Sequence, residues 1–249
     1  MAAARPVRDR LRCLCQAREA LRPGAFLSGS PRFGHEGAER FAAAAAGALA
    51  EIASIAAGLA PDRAGIRLHG IARLRPLLAV DGPIGEIAAT AIGDAARPVR
   101  AILFDKTAAA NWSLGWHQDR TIVVAERHEV AGFGPWTSKA GLLHVAPPFD
   151  LLATMVTLRI HLDPVTADNA PLLIAPGSHR FGRVAEPEIA AVVARCGIAA
   201  CLAEAGDVWL YATPILHASD AALEPKRRRV LQVDYAARDL PGGLEWLGI

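Results

Sequence analysis

Lysine is scarce in this 249-residue chain, with three residues against 24 arginines. Basic and acidic side chains nearly balance, 27 against 25, for a formal net charge of +2. There is no wide basic stripe with interleaved aromatics, so nucleic acid is not an expected partner, and no block of like charge that would seek an anionic membrane. Cysteine is also sparse: four residues, at 13, 15, 196 and 201. C-x-C and C-x4-C spacings suit neither a structural zinc site nor a disulfide framework, so they read as reduced thiols of a cytoplasmic protein. No apolar run has the character of a membrane span. The most lipid-like stretch, Phe41 to Ala60, is mostly alanine, carries Glu51 and ends at Pro61-Asp62. The first twenty residues lack an apolar h-region, so no secretory signal is expected. This segment carries Arg5, Arg8, Arg10, Arg12 and Arg18 with few acids, a faint likeness to a transit peptide; Val7, Leu11, Leu14 and Leu21 read instead as one face of an amphipathic helix, or the segment as a poorly ordered terminus. Internal repeats and low-complexity linkers are missing too. What remains is ample apolar content, 52% of residues, which is enough for a sizeable core.

The chain changes texture near Pro98. Residues 1–95 read as mainly helical. One long helix is expected from Glu39 to Leu59, stopped by Pro61, and a second from about Pro83 to Ile92; Ile66 to Leu78 is ambiguous. Residues 96–240 read as short strands: Val99–Phe104, Thr121–Val124, Leu172–Ala175, Val208–Ala212, Ile215–Ser219 and Val230–Tyr235. Within Ala153–Leu162, Thr157, Arg159 and His161 alternate with Leu158, Ile160 and Leu162. One helix interrupts at Glu186–Arg195. A segment rich in glycine, proline and aromatics, about 127–149, reads as a long loop, and loops of that length are usually functional. The expected fold is one α+β domain over 1–249 with a mainly β core, a sandwich or barrel, and helices first.

His117-Gln118-Asp119 lies just before the strand at Thr121. Residues i and i+2 of an extended segment point the same way, so an imidazole and a carboxylate can meet at one point. His217 follows a hundred residues later in an apolar strand, with Ser219 on its face. Two histidines and one carboxylate form the facial triad of non-haem Fe(II) oxygenases. After a turn at Asp220–Lys226 the chain returns as Arg227-Arg228-Arg229. A guanidinium here suits bidentate capture of a carboxylate, and periodicity alone does not choose among the three.

Together, His117-Gln118-Asp119, Asp168-Asn169, Pro176-Gly177-Ser178-His179, Gly206-Asp207, His217-Ala218-Ser219 and Arg228-Arg229 resemble the phytanoyl-CoA dioxygenase family. The resemblance runs from about Phe104 to Tyr235. It implies a double-stranded β-helix, of jelly-roll or cupin type, with the N-terminal helices packed on one sheet. It also implies an Fe(II)/2-oxoglutarate-dependent dioxygenase that uses O2, hydroxylates a C–H bond of a small-molecule substrate and turns 2-oxoglutarate into succinate. By this resemblance His117, Asp119 and His217 match the metal ligands, Arg228 the 2-oxoglutarate clamp, and Ser219 a helper at the same carboxylate. Lys106 and Trp136 lie near further co-substrate positions. Related halogenases lack the carboxylate, so Asp119 favours hydroxylation. Ala170 stands where the family commonly has glycine, a departure expected to affect a turn more than the chemistry.

Lys139, His144, Thr157 and Arg159 are candidate substrate contacts, the first two in the long loop and the others on the strand that should line the barrel. His179 reads as part of a structural turn. The alternative reading is a metal-binding β-barrel of cupin type that is non-catalytic or independent of 2-oxoglutarate. Oligomeric state is not legible in the sequence.

Overall fold

The structure, a computed structural model, describes residues 31–59 and 65–249. The amphipathic helix expected around Val7 to Leu21 lies outside them. Thirteen strands run in chain order: β1 Ala38–Phe41, β2 Ile66–Leu68, β3 Arg97–Lys106, β4 Leu114–His117, β5 Ile122–Val124, β6 Trp136–Lys139, β7 Leu142–Val145, β8 Val156–His161, β9 Leu172–Ile174, β10 Ala199–Cys201, β11 Val208–Ala212, β12 His217–Ser219 and β13 Arg228–Ala236. Among the described residues six short α-helices accompany them: α1 Phe33–Glu36, α2 Leu49–Ala57, α3 Arg75–Leu78, α4 Gly85–Ile92, α5 Phe149–Ala153 and α6 Ile189–Cys196. No helix among the described residues is long and apolar enough to cross a membrane.

Three antiparallel sheets result. The largest has the order β1-β11-β8-β13-β3-β2, the second β10-β9-β12-β4, and the third β5-β7-β6. Period-2 alternation sorts the large sheet into two faces, both buried. Leu158, Ile160, Leu231, Val233, Leu103 and Leu210 pack outward against α2, α3 and α4. This is the expected layer of N-terminal helices on one sheet. Trp209 and Tyr211 pack inward with Leu172, Ile174 and Cys201 of the second sheet. The inner face also carries polar rungs fixed by strand register. Thr157, Asp234 and Arg100 lie opposite one another across β8, β13 and β3. Arg159, Gln232, Ile102 and Arg67 form the next rung, which reaches β2. The alternation read in Ala153–Leu162 is therefore real, and its polar side faces the barrel interior.

Two expectations fail. The helix read from Glu39 to Leu59 is broken: β1 occupies its start, and the helical part begins only near Ala46. Alanine favours helix, but tertiary pairing overrides propensity. The Asp207 carboxylate accepts from the Ala43 amide (2.8 Å) and Arg40 Nε (2.9 Å), and β1 lines up on β11. Ala43 takes φ 52°, which no helix tolerates. The stretch 127–149 is not a loop throughout, because β6 and β7 form a hairpin completed by β5. Its tip, Ala140-Gly141, has two positive φ angles, 51° and 79°. Such a turn normally advertises itself with Asn-Gly, and alanine in the first place conceals it.

Helix α4 starts where Pro83 suggested, but glycine makes the start fit. A Cβ on Gly85 would lie 1.9 Å from the Ala79 carbonyl oxygen. Gly85→Ala should therefore destabilise by about 3 kcal/mol or more, at the upper end of overpacking costs, read as a lower urea midpoint.

His161 is 1% exposed on the inner face, and neither ring nitrogen has a hydrogen-bond partner. Burial first, then Arg159 and Arg228, push its pKa down to about 3. A free imidazole titrates near 6.5, so between about pH 6.5 and 3 the unfolded chain binds the proton that the folded chain refuses. Stability should fall as pH drops through that window. His161→Leu should flatten the slope by about 1.4 kcal/mol per pH unit, measured by urea unfolding from pH 6 to 4.

Candidate metal centre and its cavity

Strands β4 and β12 pair antiparallel with His117 opposite His217, and the two rings lie 4.2 Å apart between centroids. Asp119 completes the group. One donor atom from each of His117, Asp119 and His217 lies within 4.8 Å of the others. His179 takes no part; its ring abuts Gly37.

Local bonds aim these side chains. His117 Nδ1 lies 2.8 Å from the Gly115 carbonyl, and His217 Nδ1 lies 2.9 Å from that of Ile215. A carbonyl only accepts, so both rings carry the proton on Nδ1 and leave the Nε2 lone pair free. Burial, with His117 adding to it and Asp119 opposing, lowers the His217 pKa to about 4, so this imidazole is neutral at physiological pH. Gln118, between the two ligating positions, is turned the other way and locked. Its Nε2 donates to the Gly182 and Pro214 carbonyls (3.0 and 2.8 Å), and its Oε1 accepts from the Val184 amide (2.9 Å). Ser178 Oγ accepts from the Leu216 amide at 2.8 Å and so fixes the approach to His217.

The carboxylate is set by a residue that sequence reasoning missed. Arg100 donates to Asp119 Oδ2 at 3.2 Å and to Asp234 Oδ2 at 2.5 Å. Asp234 accepts in turn from Thr157, whose hydroxyl lies 3.0 Å from that of Thr213. Burial works against the Asp119 charge, but Arg100 and the two imidazoles outweigh it and lower its pKa. Burial also opposes the Arg100 charge, and the two carboxylates more than restore it. The signal was present in the sequence: a charged residue inside each of two apolar strands, Val99-Arg100-Ala101 and Val233-Asp234-Tyr235.

A cavity of about 570 Å³ opens on this group. Of the sequence candidates, His117, Asp119, His217, Ser219, Arg228, Arg159 and Lys139 line it. Arg228 is 2% exposed and donates Nη1 to the Ala170 carbonyl, while its Nε has no partner. Burial and then Arg159 depress its pKa to about 9, as expected of a guanidinium lacking a counter-anion. Ser219 Oγ and Arg159 Nε are also buried without partners. Ala170 adopts φ 52°. The departure from glycine thus sits in the left-handed region, and its carbonyl touches Arg228, nearer the chemistry than a turn alone.

Four candidates fall outside the cavity lining. Lys106, fully buried, donates to the Trp112 and Asp220 carbonyls (2.8 and 2.7 Å) and ties those segments together beside Arg228. Trp136 packs in the cluster around the three-stranded sheet, because the supposed loop is a hairpin that carries it away. His144 is buried behind the wall, with Thr121 Oγ1 3.5 Å from its Nδ1. Thr157 is buried under Arg100 as a partner of Asp234.

The same architecture recurs in solved structures. The apo structure of EctD from S. alaskensis matches with a TM-score of 0.60 at 18% identity, over 87% of this chain and 82% of that one. HygX from Streptomyces hygroscopicus, solved with nickel and 2-oxoglutarate, gives 0.55 at 15%, over 84% and 89%. AviO1 from Streptomyces viridochromogenes Tue57 gives 0.53 at 21%, over 85% and 94%. No curated protein matches the chain in sequence. A family model does, across residues 69–230, which hold the whole triad, Arg100, Ser219 and Arg228. The chain belongs to the phytanoyl-CoA dioxygenase family.

Proposed function

We propose that the chain is an Fe(II)- and 2-oxoglutarate-dependent dioxygenase that hydroxylates a C–H bond of a small molecule, and that residues 1–249 form one oxygenase domain. The carrying observation is a matched pair of sites in one cavity: two imidazoles and a carboxylate with converging free donors, and a buried guanidinium with an unpaired Nε. The fit of each group can be judged from the residues themselves. Two neutral nitrogens and one anionic oxygen suit a divalent first-row metal, and a three-residue set leaves coordination positions for other ligands. A dicarboxylate supplies what Arg228 Nε and Ser219 Oγ lack.

When bound, Fe(II) with 2-oxoglutarate and O2 supplies the oxidising power for C–H hydroxylation, and the co-substrate leaves as succinate and CO2. The chain's own part is positional. His117, Asp119 and His217 would hold the metal, with Arg100 keeping Asp119 ionised and aimed. Arg228 and Ser219 would hold the far carboxylate, and the Arg159–Gln232 pair, 2.9 Å apart, flanks the same wall. Phe104, Trp112 and Leu172 give that region an apolar lining that limits water. Structures of EctD with 5-hydroxyectoine and of HygX with hygromycin B show fold neighbours holding small polar molecules. They support a small-molecule substrate here without specifying it. The free thiols Cys196 and Cys201 agree with a cytoplasmic setting.

An anaerobic absorption titration tests this. Fe(II) followed by 2-oxoglutarate should produce the weak visible charge-transfer band of a chelated 2-oxo acid. Arg228→Ala should weaken 2-oxoglutarate about a hundredfold, since removing one partner of a buried charge pair costs roughly 2–5 kcal/mol. Asp119→Ala should lose Fe(II) itself, leaving two imidazoles as donors. Fe(II) bound by the wild type with no band would instead favour a barrel that works without 2-oxoglutarate.

A further inference from the structure

The cavity wall is one-sided in charge. Arg67, Arg100, Arg120, Lys139, Arg159 and Arg228 line it, against Asp119 as the sole acidic side chain among the described lining residues. Most of these cations are already engaged. Arg100 is bound by Asp234 and Asp119, Arg120 donates to the Val184 carbonyl at 2.7 Å, and Arg159 donates to Gln232. Arg228 belongs to the co-substrate under the reading above. Arg67 and Lys139 are left. Among the described residues neither side chain has a hydrogen bond or ion pair, and Arg67 Nε is buried without a partner.

These two lie at the other end of the cavity from Arg228. Arg67 is on the edge strand β2, opposite Ile102, which lies opposite Gln232 on β13. Arg228 is four residues further along β13. With strands about 4.8 Å apart and a rise of about 3.4 Å per residue, the two backbones are separated by roughly 16 Å. Lys139 ends β6, beside the hairpin tip, and is exposed. The buried groups nearby divide the cations in the same way. Beyond burial itself, His144 feels Arg100, Lys139 and Arg67, whereas Lys106 feels Arg228 and Arg159. The proposed metal-ligating group touches both sets: Asp119 is bonded to Arg100 of the first, and His217 feels Arg159 of the second.

We infer that Arg67 and Lys139 form a second anion-binding end of the cavity, so that the substrate is a small molecule carrying a carboxylate or phosphate. Its anion rests there, and the carbon to be oxidised faces His117, Asp119 and His217. The inference rests on the oxygenase reading for the role of the bound molecule, but the anion site itself does not. Under that reading the co-substrate spends one carboxylate at Arg228 and the other at the metal, and so has no third anionic group for Arg67 and Lys139. A neutral substrate would leave the half-buried Arg67, with its buried Nε unpartnered, facing the like charge of Arg100.

The test uses the full chain loaded anaerobically with Fe(II) and saturating 2-oxoglutarate. Hexanoate, hexyl phosphate and hexanol are titrated by calorimetry. Both anions share the neutral probe's chain, so the difference isolates the charge. At least one anion should bind tenfold or more tighter than hexanol. Hexyl phosphate ahead of hexanoate would identify a phosphate ester, and the reverse order a carboxylic acid. Arg67→Gln with Lys139→Gln should erase the preference, while 2-oxoglutarate affinity, read from its absorption band, stays within threefold. Lys139→Gln alone alters only an exposed side chain, so folding is secure, and should lose part of the preference; Lys139→Arg should restore it. Hexanol binding as tightly as the anions, no saturable anion binding at millimolar concentration, or a preference surviving the double variant would overturn the inference. Loss of the preference in the double variant of a protein that shows no 2-oxoglutarate band would sustain the anion site and reject the oxygenase reading.

Discussion

Arg100 is the charge on which the barrel interior depends. A six-stranded sheet with both faces buried can give one face to an apolar core, but the other must satisfy whatever polar groups it encloses. Here the inner face encloses two carboxylates, Asp119 and Asp234, and a single guanidinium bridges them. Without it, two anions would share a desolvated space and at least one would protonate. With it, Asp119 stays ionised in a place where burial alone would neutralise it. The bridge also joins β3 to β13, the most extensively paired strands, so the electrostatics of the site and the register of the sheet support each other.

This arrangement explains why the outer and inner faces of one strand look so different. On β8, Leu158 and Ile160 fill space against the helices, whereas Thr157 and Arg159 are held by hydrogen bonds and His161 is left without a partner. Among the described residues, four of the buried side-chain atoms without a hydrogen-bond partner, Arg67 Nε, Arg159 Nε, Ser219 Oγ and Arg228 Nε, belong to residues that line one cavity. Buried polar atoms are normally paired, so these four are where a bound molecule would supply the missing partners.

Much of this was legible in the chain. His117 and Asp119 share a face because extended backbone alternates, and Ser219 follows His217 for the same reason. Arg228 could be singled out from its two neighbours only by resemblance. The structure supplies a physical ground: Arg227 pairs with Asp105 and Arg229 with Asp163, while Arg228 turns inward. The failures have a common cause. In Glu39–Leu59 and 127–149 local composition points to a helix and a loop, whereas β1 is held by Asp207, 164 residues away from Ala43, and the β6–β7 turn uses an alanine where the conformation favours glycine or asparagine. Arg100 and Asp234 are 134 residues apart. Pairings at that separation leave no period or spacing to read.

Gln118 has a consequence for how a metal would be gained and lost. Its three hydrogen bonds to Gly182, Pro214 and Val184 fix the backbone between two proposed ligands, His117 and Asp119, through contacts that involve neither. The donor atoms are therefore spaced by the surrounding polypeptide and not by the ion they would hold. Such a frame asks little conformational entropy of the chain when an ion arrives, and departure of the ion leaves no loose segment behind. Metal exchange at the proposed ligands would then be a substitution at a preset frame, largely uncoupled from folding.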